Sequence, residues 1–584
     1  MTPKRGTRRP GPRPSRPAPT LKPGPGEHAW VLDVPWELRS AAAAAGATWV
    51  PDYGHVFVGR ALPPLLTPYL PRDYSWQAYL ANKLSGGHPP RPTAPPVPGS
   101  ITLRPEQKAA VVATLRARAA GAPELLNGSG TGVGKTFMTI AAVKRMPTVR
   151  RVLVVCPLSV MPAWRVALQQ IGDGGLTWVI INYDSLKRLI TIPPSAATAK
   201  RTRTKNLRRV RDGKPRAQWD VVIADESHYV ANIEAQRSRA LETIINGPTG
   251  TPPAFVMRLT ATAGANPAKL AYLHRGLAWR TGRPIRTAIT EADYSQMCTQ
   301  WGVTVSPGRF SGLEWGGNPA DLKRMHHLLF GGAPPWGIKV EPTWAGQQRF
   351  PFPVDLSPGE MSAYHTEWQE FHRALTAARQ GTLTGAAAAT SRAKGLAAQI
   401  RYRQKIGQIM ATHVADHAAT LVASGVQPVI ACEFLGTANA VSEALRSHGV
   451  NVALFTGANR ETREQERIDF QQGRRPVMVF TVAEGVNFQA GEAATTATMN
   501  PRVTIIAEPR WSPIKALQVE GRAHRDGQSA PAYYAYATGT VAEKVITVVL
   551  DGMMNIGQIM GSDTRPFGGL ATALGVPALI EEGA

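Results

Sequence analysis

Residues 129–136 read SGTGVGKT, a spacing that can do one kind of chemistry. Gly130, Gly132 and Gly134 let the backbone curl. The N–H groups of Ser129, Gly130, Thr131, Gly132, Val133 and Gly134 can then point at a single anion. Lys135 can reach the β- and γ-phosphates of a bound nucleotide, and Thr136 can ligate Mg²⁺ at the head of the helical stretch FMTIAAVKRM. The general pattern GxxxxGK[ST] begins with glycine, whereas this chain has Ser129, so a glycine-rich turn before a helix is the plainer alternative. Further on, WDVVIADESH sets Asp225 and Glu226 just after an apolar run. Parallel sheets present their ligand-binding edge at such strand ends. Mg²⁺ needs oxygen ligands and an attacking water needs a base, which suits Asp225 to the metal and Glu226 to the water. Alone, an Asp-Glu pair is usually a polar loop; opposite a phosphate loop it predicts an ATP site with Mg²⁺.

Such a site needs rigid elements to hold it. Between Ile101 and about Lys269, short Val/Ile/Leu runs (VRRVLVVCP, TWVIINY, WDVVIADE, AFVMRLTAT) alternate with helical stretches. Continuous apolar runs bounded by turn residues predict strands buried on both faces, hence a parallel α/β sheet. Residues 271–410 lean helical, and alternation resumes from about Thr412 with QPVIACEF, NVALFTG, PVMVFTV and VTIIAE, predicting a second α/β lobe. Ahead of both, residues 1–26 are Pro, Arg and Gly with little to bury and predict a disordered basic tail. Residues 27–84 predict a small accessory α+β module of two strand-like runs around an Ala-rich helix. Residues 85–100 read as a proline-rich linker.

The 584 residues suffice for roughly three or four folding units. Cys156, Cys298 and Cys432 lie far apart without a CxxC pair, which excludes a disulfide framework or cysteine zinc site and fits a reducing compartment. No apolar run nears the ~18 residues that span a bilayer, and no secretory signal is visible, so no membrane partner is expected. The 66 Lys+Arg against 41 Asp+Glu leave +25, which points to a polyanion. Of that excess, 15 charges sit in residues 1–22 and 200–216. Blocks of this kind are often solvated tails. The second, KRTRTKNLRRVRDGKPR, contains Arg201, Arg203, Lys205, Arg208 and Arg209 and lies inside the first lobe, which favours a nucleic-acid-contacting loop. Arginine outnumbers lysine 49 to 17, as in GC-rich genomes, so a bacterial or phage protein working in the cytoplasm is expected, with a nuclear address left open.

DESH after a GxGKT loop resembles the superfamily 2 helicases, and the flanking text is similar to their Snf2-like branch. LRPEQ, ending at Gln107, looks like the adenine-reading Q motif. VLVVCPLSVMPAW resembles motif Ia, INYDSL motif Ib, RLTATAGAN motif III and PRWSPIKALQVEGRAHRDGQ motif VI. The set covers about residues 101–550, and CTQWGVTVSPGRFSGLEWGGNPADLKRMHHLLF is similar to HARP-like annealing helicases. The resemblance implies two tandem RecA-like parallel-sheet lobes with helical insertions. Lobe 1 is expected at 101–285, an insertion and inter-lobe region at 286–410, lobe 2 at 411–560 and a C-terminal tail at 561–584. The chain departs from the pattern in three places, the first being GGAPPWGIK (Gly331 to Lys339) where an arginine pair often follows the lobe 1 helical insertion. Motif III has Ala261 and Ala263 for Gly and Pro, and motif V, TVAEGVNFQA, has Glu484, Asn487 and Gln489 for Gly, Gly and Asn.

The resemblance also implies a mechanism. Arg522 and Arg525 would face the γ-phosphate when the lobes close, with Gln518 in the same network, while Thr260 and Thr262 would couple the lobes. Ser159 and Thr481 would contact the nucleic-acid backbone. The partner implied is duplex or branched DNA, gripped by its phosphates without sequence preference; no protein partner is indicated. The leading expectation is an ATP-dependent DNA translocase. Its rivals are a strand-separating DNA or RNA helicase and a non-enzymatic DNA-binding scaffold with an uncoupled ATPase.

Overall fold

The computed structural model describes residues 28–32, 34, 39–50, 54–59, 66, 102–191, 213–306, 312–342, 346–380, 385–481, 485–492, 496–508, 512–525, 527–562, 567, 570 and 574. The expected tail at 1–26, the linker at 85–100 and the basic residues Arg201, Arg203, Lys205, Arg208 and Arg209 lie outside these. The chain divides into two compact units, Met1–Ser100 with Trp178–Ile180, and the rest.

In the first unit, β1 (His28–Leu32), β2 (Thr48–Val50) and β3 (Gly54–Gly59) form an antiparallel sheet of order β1-β3-β2. The Ala-rich helix Arg39–Ala44 falls between β1 and β2 in the chain, and Leu32, Val34, Ala42, Ala47 and Leu66 make a small core.

Beyond Ser100 the chain forms two six-stranded sheets. The first comprises β4 (Glu124–Asn127), β5 (Arg151–Cys156), β6 (Thr177–Asn182), β9 (Val221–Asp225), β10 (Phe255–Leu259) and β13 (Gly337–Ile338), in the order β13-β4-β10-β9-β5-β6. Two short ladders interrupt the series, β7 (Ile190–Thr191) with β8 (Lys214–Pro215), and β11 (Val303–Val305) with β12 (Leu313–Trp315). Every residue of β4, β9 and β10 is buried, as expected for strands covered on both faces. Register matters for the site: Leu259 pairs with Asn127 on one side and with Asp225 on the other. The phosphate loop, the acidic pair and Thr260 therefore leave the sheet at one level, from three adjacent strands.

The second sheet comprises β14 (Arg349–Val354), β15 (Gln427–Ala431), β16 (Val452–Phe455), β17 (Val477–Phe480), β18 (Arg502–Ile506) and β19 (Ala532–Ala537). Its order is β14-β19-β18-β15-β17-β16, and every pair is parallel. The helices Pro358–Gln380, Gly385–Ala423 and Leu435–Ser447 share a core with one face of this sheet; Pro513–Glu520 and Val541–Met560 share a core with the other. At roughly 1.5–3 kcal/mol for each fully buried Val, Leu, Ile, Phe or Met side chain, such packing is the main support of the lobe. Two parallel sheets clothed by helices are the two RecA-like lobes the sequence predicts.

The segment 286–410 supplies strands to both lobes, β13 to the first and β14 to the second. The end of the helix Val541–Met560 returns to the first lobe, where His326 Nδ1 donates to the Ile559 carbonyl at 3.0 Å and Lys339 Nζ donates to Ser562 Oγ at 3.2 Å. Among the described residues no helix is long and apolar enough to cross a membrane.

Candidate active site

The phosphate loop links β4 to the helix Lys135–Lys144. Ser129, which stands where the general pattern has glycine, is fully buried. Its hydroxyl accepts from Val340 N–H at 2.9 Å, while its own N–H donates to Asn127 Oδ1 at 3.2 Å. The hydroxyl thus fastens the loop to the segment after β13, where Gly130 N–H also donates to the Val340 carbonyl at 3.1 Å. Gly134 has φ +86°, and a Cβ there would lie 2.5 Å from Gln107 Nε2, so only glycine fits. Gln107 braces the loop, donating from Nε2 to the Val133 carbonyl at 2.8 Å and accepting Arg104 N–H on Oε1 at 2.9 Å. Lys135 Nζ donates to the carbonyls of Ser129 and Gly130 at 2.9 and 2.8 Å.

Across the sheet edge, Asp225 is held by two motifs at once. Trp164 Nε1, from the text resembling motif Ia, donates to Asp225 Oδ2 at 2.7 Å. Tyr183 Oη, from the text resembling motif Ib, donates to the Asp225 carbonyl at 2.7 Å. Glu226 N–H donates to Asp225 Oδ1 at 2.9 Å. Burial first, then the neighbouring Glu226 charge, push the Asp225 carboxyl up to about 6. Burial also lowers the Lys135 ammonium, opposed by Glu226 and Asp225. Glu226 has φ +50°, a left-handed conformation that costs a non-glycine residue energy and turns the acidic pair at the strand end.

His228 joins the parts. Its Nδ1 lies 3.4 Å from Glu226 Oε2 and 3.3 Å from Thr260 Oγ1, and its Nε2 lies 3.4 Å from Gln518 Nε2. A Gln518 N–H donating to Nε2 leaves the Nδ1–H tautomer to face Glu226 and Thr260. Thr260 Oγ1 in turn accepts from Thr262 N–H at 3.1 Å. In motif VI, Arg522 is buried, donating from Nε to the Gln518 carbonyl at 2.8 Å and from Nη1 to the Val486 carbonyl at 3.3 Å. Arg525 Nη1 donates to Asn487 Oδ1. A Cβ on Gly521 would lie 3.1 Å from Thr131 Oγ1, so motif VI rests directly on the phosphate loop. A cleft of about 550 Å³, lined by Gly130, Thr131, Glu226, Gln518 and Gly521 among others, opens between the lobes. That volume suits a nucleotide-sized ligand.

Of the residues expected at the ATP site, Gln518 meets the acidic motif through His228, while Arg522 and Arg525 bond to Gln518, Val486 and Asn487 within lobe 2 and Gln107 braces the loop within lobe 1. Of the two expected backbone contacts, Ser159 meets the second lobe through Gly485, whose Cβ would lie 2.5 Å from the Ser159 carbonyl oxygen. Thr481 follows β17 with its N–H on the Phe455 carbonyl at 3.1 Å. Sequence reasoning did not single out Trp164, Tyr183 or His228. All three were legible only as motif text, because their roles depend on which elements lie side by side.

A nucleotide-sized cleft with a phosphate loop on one RecA-like lobe and the motif VI text on the other is suited to ATP hydrolysis of the helicase kind. Residues 100–264 match the family model of the type III restriction enzyme res subunit, and residues 446–570 match that of the C-terminal domain on Strawberry notch homologue. These two matches, one in each lobe, support an ATP-hydrolysing enzyme of that type. The chain is also similar to a protein of Acanthamoeba polyphaga mimivirus named "Putative ATP-dependent RNA helicase L364", at 32% identity over 126 residues, 20% of this chain and 23% of that one. The chain therefore spans less than a quarter of that relative's length. A solved structure described as the Sulfolobus solfataricus SWI2/SNF2 ATPase core in complex with dsDNA covers 83% of this chain and 97% of its own, at 15% identity and a TM-score of 0.31.

Proposed function

We propose that the chain is a Snf2-type, HARP-like translocase of a bacterium or phage, working in the cytoplasm. It hydrolyses ATP to move on or remodel duplex or branched DNA without sequence preference. The observation that carries this reading is the cross-lobe contact of Gln518 with His228, which ties motif VI to the acidic motif and, through Thr260, to motif III. Opening or closing the lobes must then alter the ATP site, as stepping along a strand requires.

In this reading Lys135 and the loop N–H groups from Thr131 to Gly134 bind the β- and γ-phosphates, whereas those of Ser129 and Gly130, also expected to face the anion, are committed to Asn127 and Val340. Gln107 keeps one amide hydrogen and one lone pair for adenine. The Thr136 hydroxyl and the Asp225 carboxylate are hard oxygen donors that fit Mg²⁺, and each Asp225 oxygen keeps a lone pair beside the hydrogen bond it accepts. Bound there, Mg²⁺ supplies charge neutralisation at the phosphate oxygens. Glu226 takes the proton of the attacking water, with His228 fixing its position, and Arg522 and Arg525 stabilise the charge that develops on the transferred group. Ser159 and Thr481 grip the nucleic-acid backbone.

An RNA-directed helicase is a second reading, favoured by the name of the mimivirus relative. Displacement of a third strand from a DNA triplex tests translocation directly. The proposal expects ATP-dependent displacement that Lys135→Ala abolishes. Absence of displacement, together with unwinding of an RNA duplex, would favour the second reading.

A further inference from the structure

We propose that Asn487 is a positioning residue for Arg525: its carboxamide oxygen holds the guanidinium toward the phosphate loop before a nucleotide arrives. The inference rests on the ATPase reading above. It gives a task to a position where the motif V text departs from the Snf2 pattern, with asparagine in place of glycine.

The geometry makes Asn487 a fixed support. Its carbonyl accepts from Arg467 Nη1 at 3.4 Å and from Gln471 Nε2 at 3.3 Å, both on the helix Arg463–Gln471. Arg467 is itself tied to Glu464 at 2.7 Å and to Glu492 at 2.6 Å. The next residue, Phe488, is fully buried, with its ring centroid 5.9, 6.2 and 5.0 Å from those of Phe455, Phe470 and Phe480. Phe488 N–H donates to the Arg522 carbonyl at 2.8 Å, and Arg522 Nη1 donates back to the Val486 carbonyl at 3.3 Å. Residues 486–488 are therefore anchored in the lobe 2 core on one side and latched to motif VI on the other. From that footing the Asn487 oxygen accepts from Arg525 Nη1.

The electrostatics explain why a support is needed. Arg522 and Arg525 both lie within electrostatic reach of Lys135 and add to the burial that lowers its proton affinity. Lys135, Arg522 and Arg525 repel one another around the cleft, with Glu226 and Asp225 offsetting part of that charge, so a long arginine side chain keeps its place there against a net push outward. A neutral amide oxygen can hold the guanidinium and still yield it to a phosphate, because a charge-assisted bond to phosphate is the stronger one. A glycine at this place has no side chain to do so. Holding the charge in place beforehand is the preorganisation that speeds phosphoryl transfer without tightening ground-state binding.

The test is a double-mutant cycle on the full chain, reading kcat and KM for ATP with saturating duplex DNA. Asn487→Ala is expected to lower kcat on the order of tenfold with KM within about twofold. In an Arg525→Ala background the same change should cost less than about twofold more. Melting temperature separates this from misfolding, and Asn487→Gly serves as the second variant. Wild-type kcat in either variant, while Arg525→Ala is strongly impaired, would overturn the proposal and leave the ATPase reading standing, and so would an equal loss in both backgrounds. A wild type without turnover would remove the ATPase reading and this proposal with it.

Discussion

At the residue scale the decisive group is Asp225. A buried carboxyl raised to about 6 by desolvation and by Glu226 resists the charged form that Mg²⁺ requires. Stability follows the same sign: the metal-free protein gives up stability as pH rises through the ordinary carboxylate range toward about 6, because the fold favours the protonated group. We expect kcat/KM for Mg-ATP to fall as pH drops through about 6. The Trp164 indole N–H stabilises the ionised carboxylate, so Trp164→Phe should move that acidic limb to higher pH. A pH–rate profile between about 5 and 8 checks this; a limb that stays in place would mean the indole bond does not govern the titration. The carboxylate pair and the phosphate loop were legible because their chemistry is written in adjacent residues. Trp164 and Tyr183 were not, since each reaches Asp225 from a separate element, Trp164 from the helix Met161–Ile171 and Tyr183 from the turn that follows β6.

At the element scale a buried chain of charges clamps the first lobe. Glu124 on β4 meets Arg258 on β10 at 3.1 Å, Arg258 meets Glu242 at 3.2 Å, and Glu242 meets Arg275 at 3.0 Å. Burial alone would raise the Glu242 carboxyl, but Arg275, then His274 and Arg258, hold it at about 2. That depression is stability present above the ordinary glutamate range and lost as pH falls toward 2. Arg258→Met leaves Glu124 buried without its cation and should cost about 3–5 kcal/mol in urea unfolding, whereas a loss below about 1 kcal/mol would contradict the clamp. The central strands were readable because continuous apolar runs mark burial on both faces. β14, RFPFPV, was not readable, because Pro351 and Pro353 argue against a strand. It exists because it is an edge, bonded among the described residues to β19 alone, where prolines need not donate. β13 has only two residues, too few for any periodicity to appear.

At the scale of the whole molecule, charge and closure decide what the protein does. The net +25 predicts nucleic-acid binding that weakens steeply with salt and varies little with sequence. Deleting residues 200–216 removes eight net positive charges. It should weaken duplex binding by roughly tenfold or more in a fluorescence-anisotropy titration at physiological salt while leaving ATP binding intact. Unchanged DNA affinity would show that this basic segment does not contact DNA. Convergence of the two lobes could be anticipated from the order of the motifs, but the contacts that carry it could not: Gln518 to His228, Gly521 to Thr131 and Gly485 to Ser159 join residues hundreds of positions apart. Whether nucleic acid drives the split ATP site is read from steady-state ATP hydrolysis without nucleic acid and with duplex DNA, forked DNA, single-stranded DNA and RNA. We expect stimulation by duplex or forked DNA that Lys135→Ala and Arg522→Ala each abolish. Tight DNA binding with no stimulated turnover would contradict it and identify a scaffold whose altered motifs have severed hydrolysis from DNA.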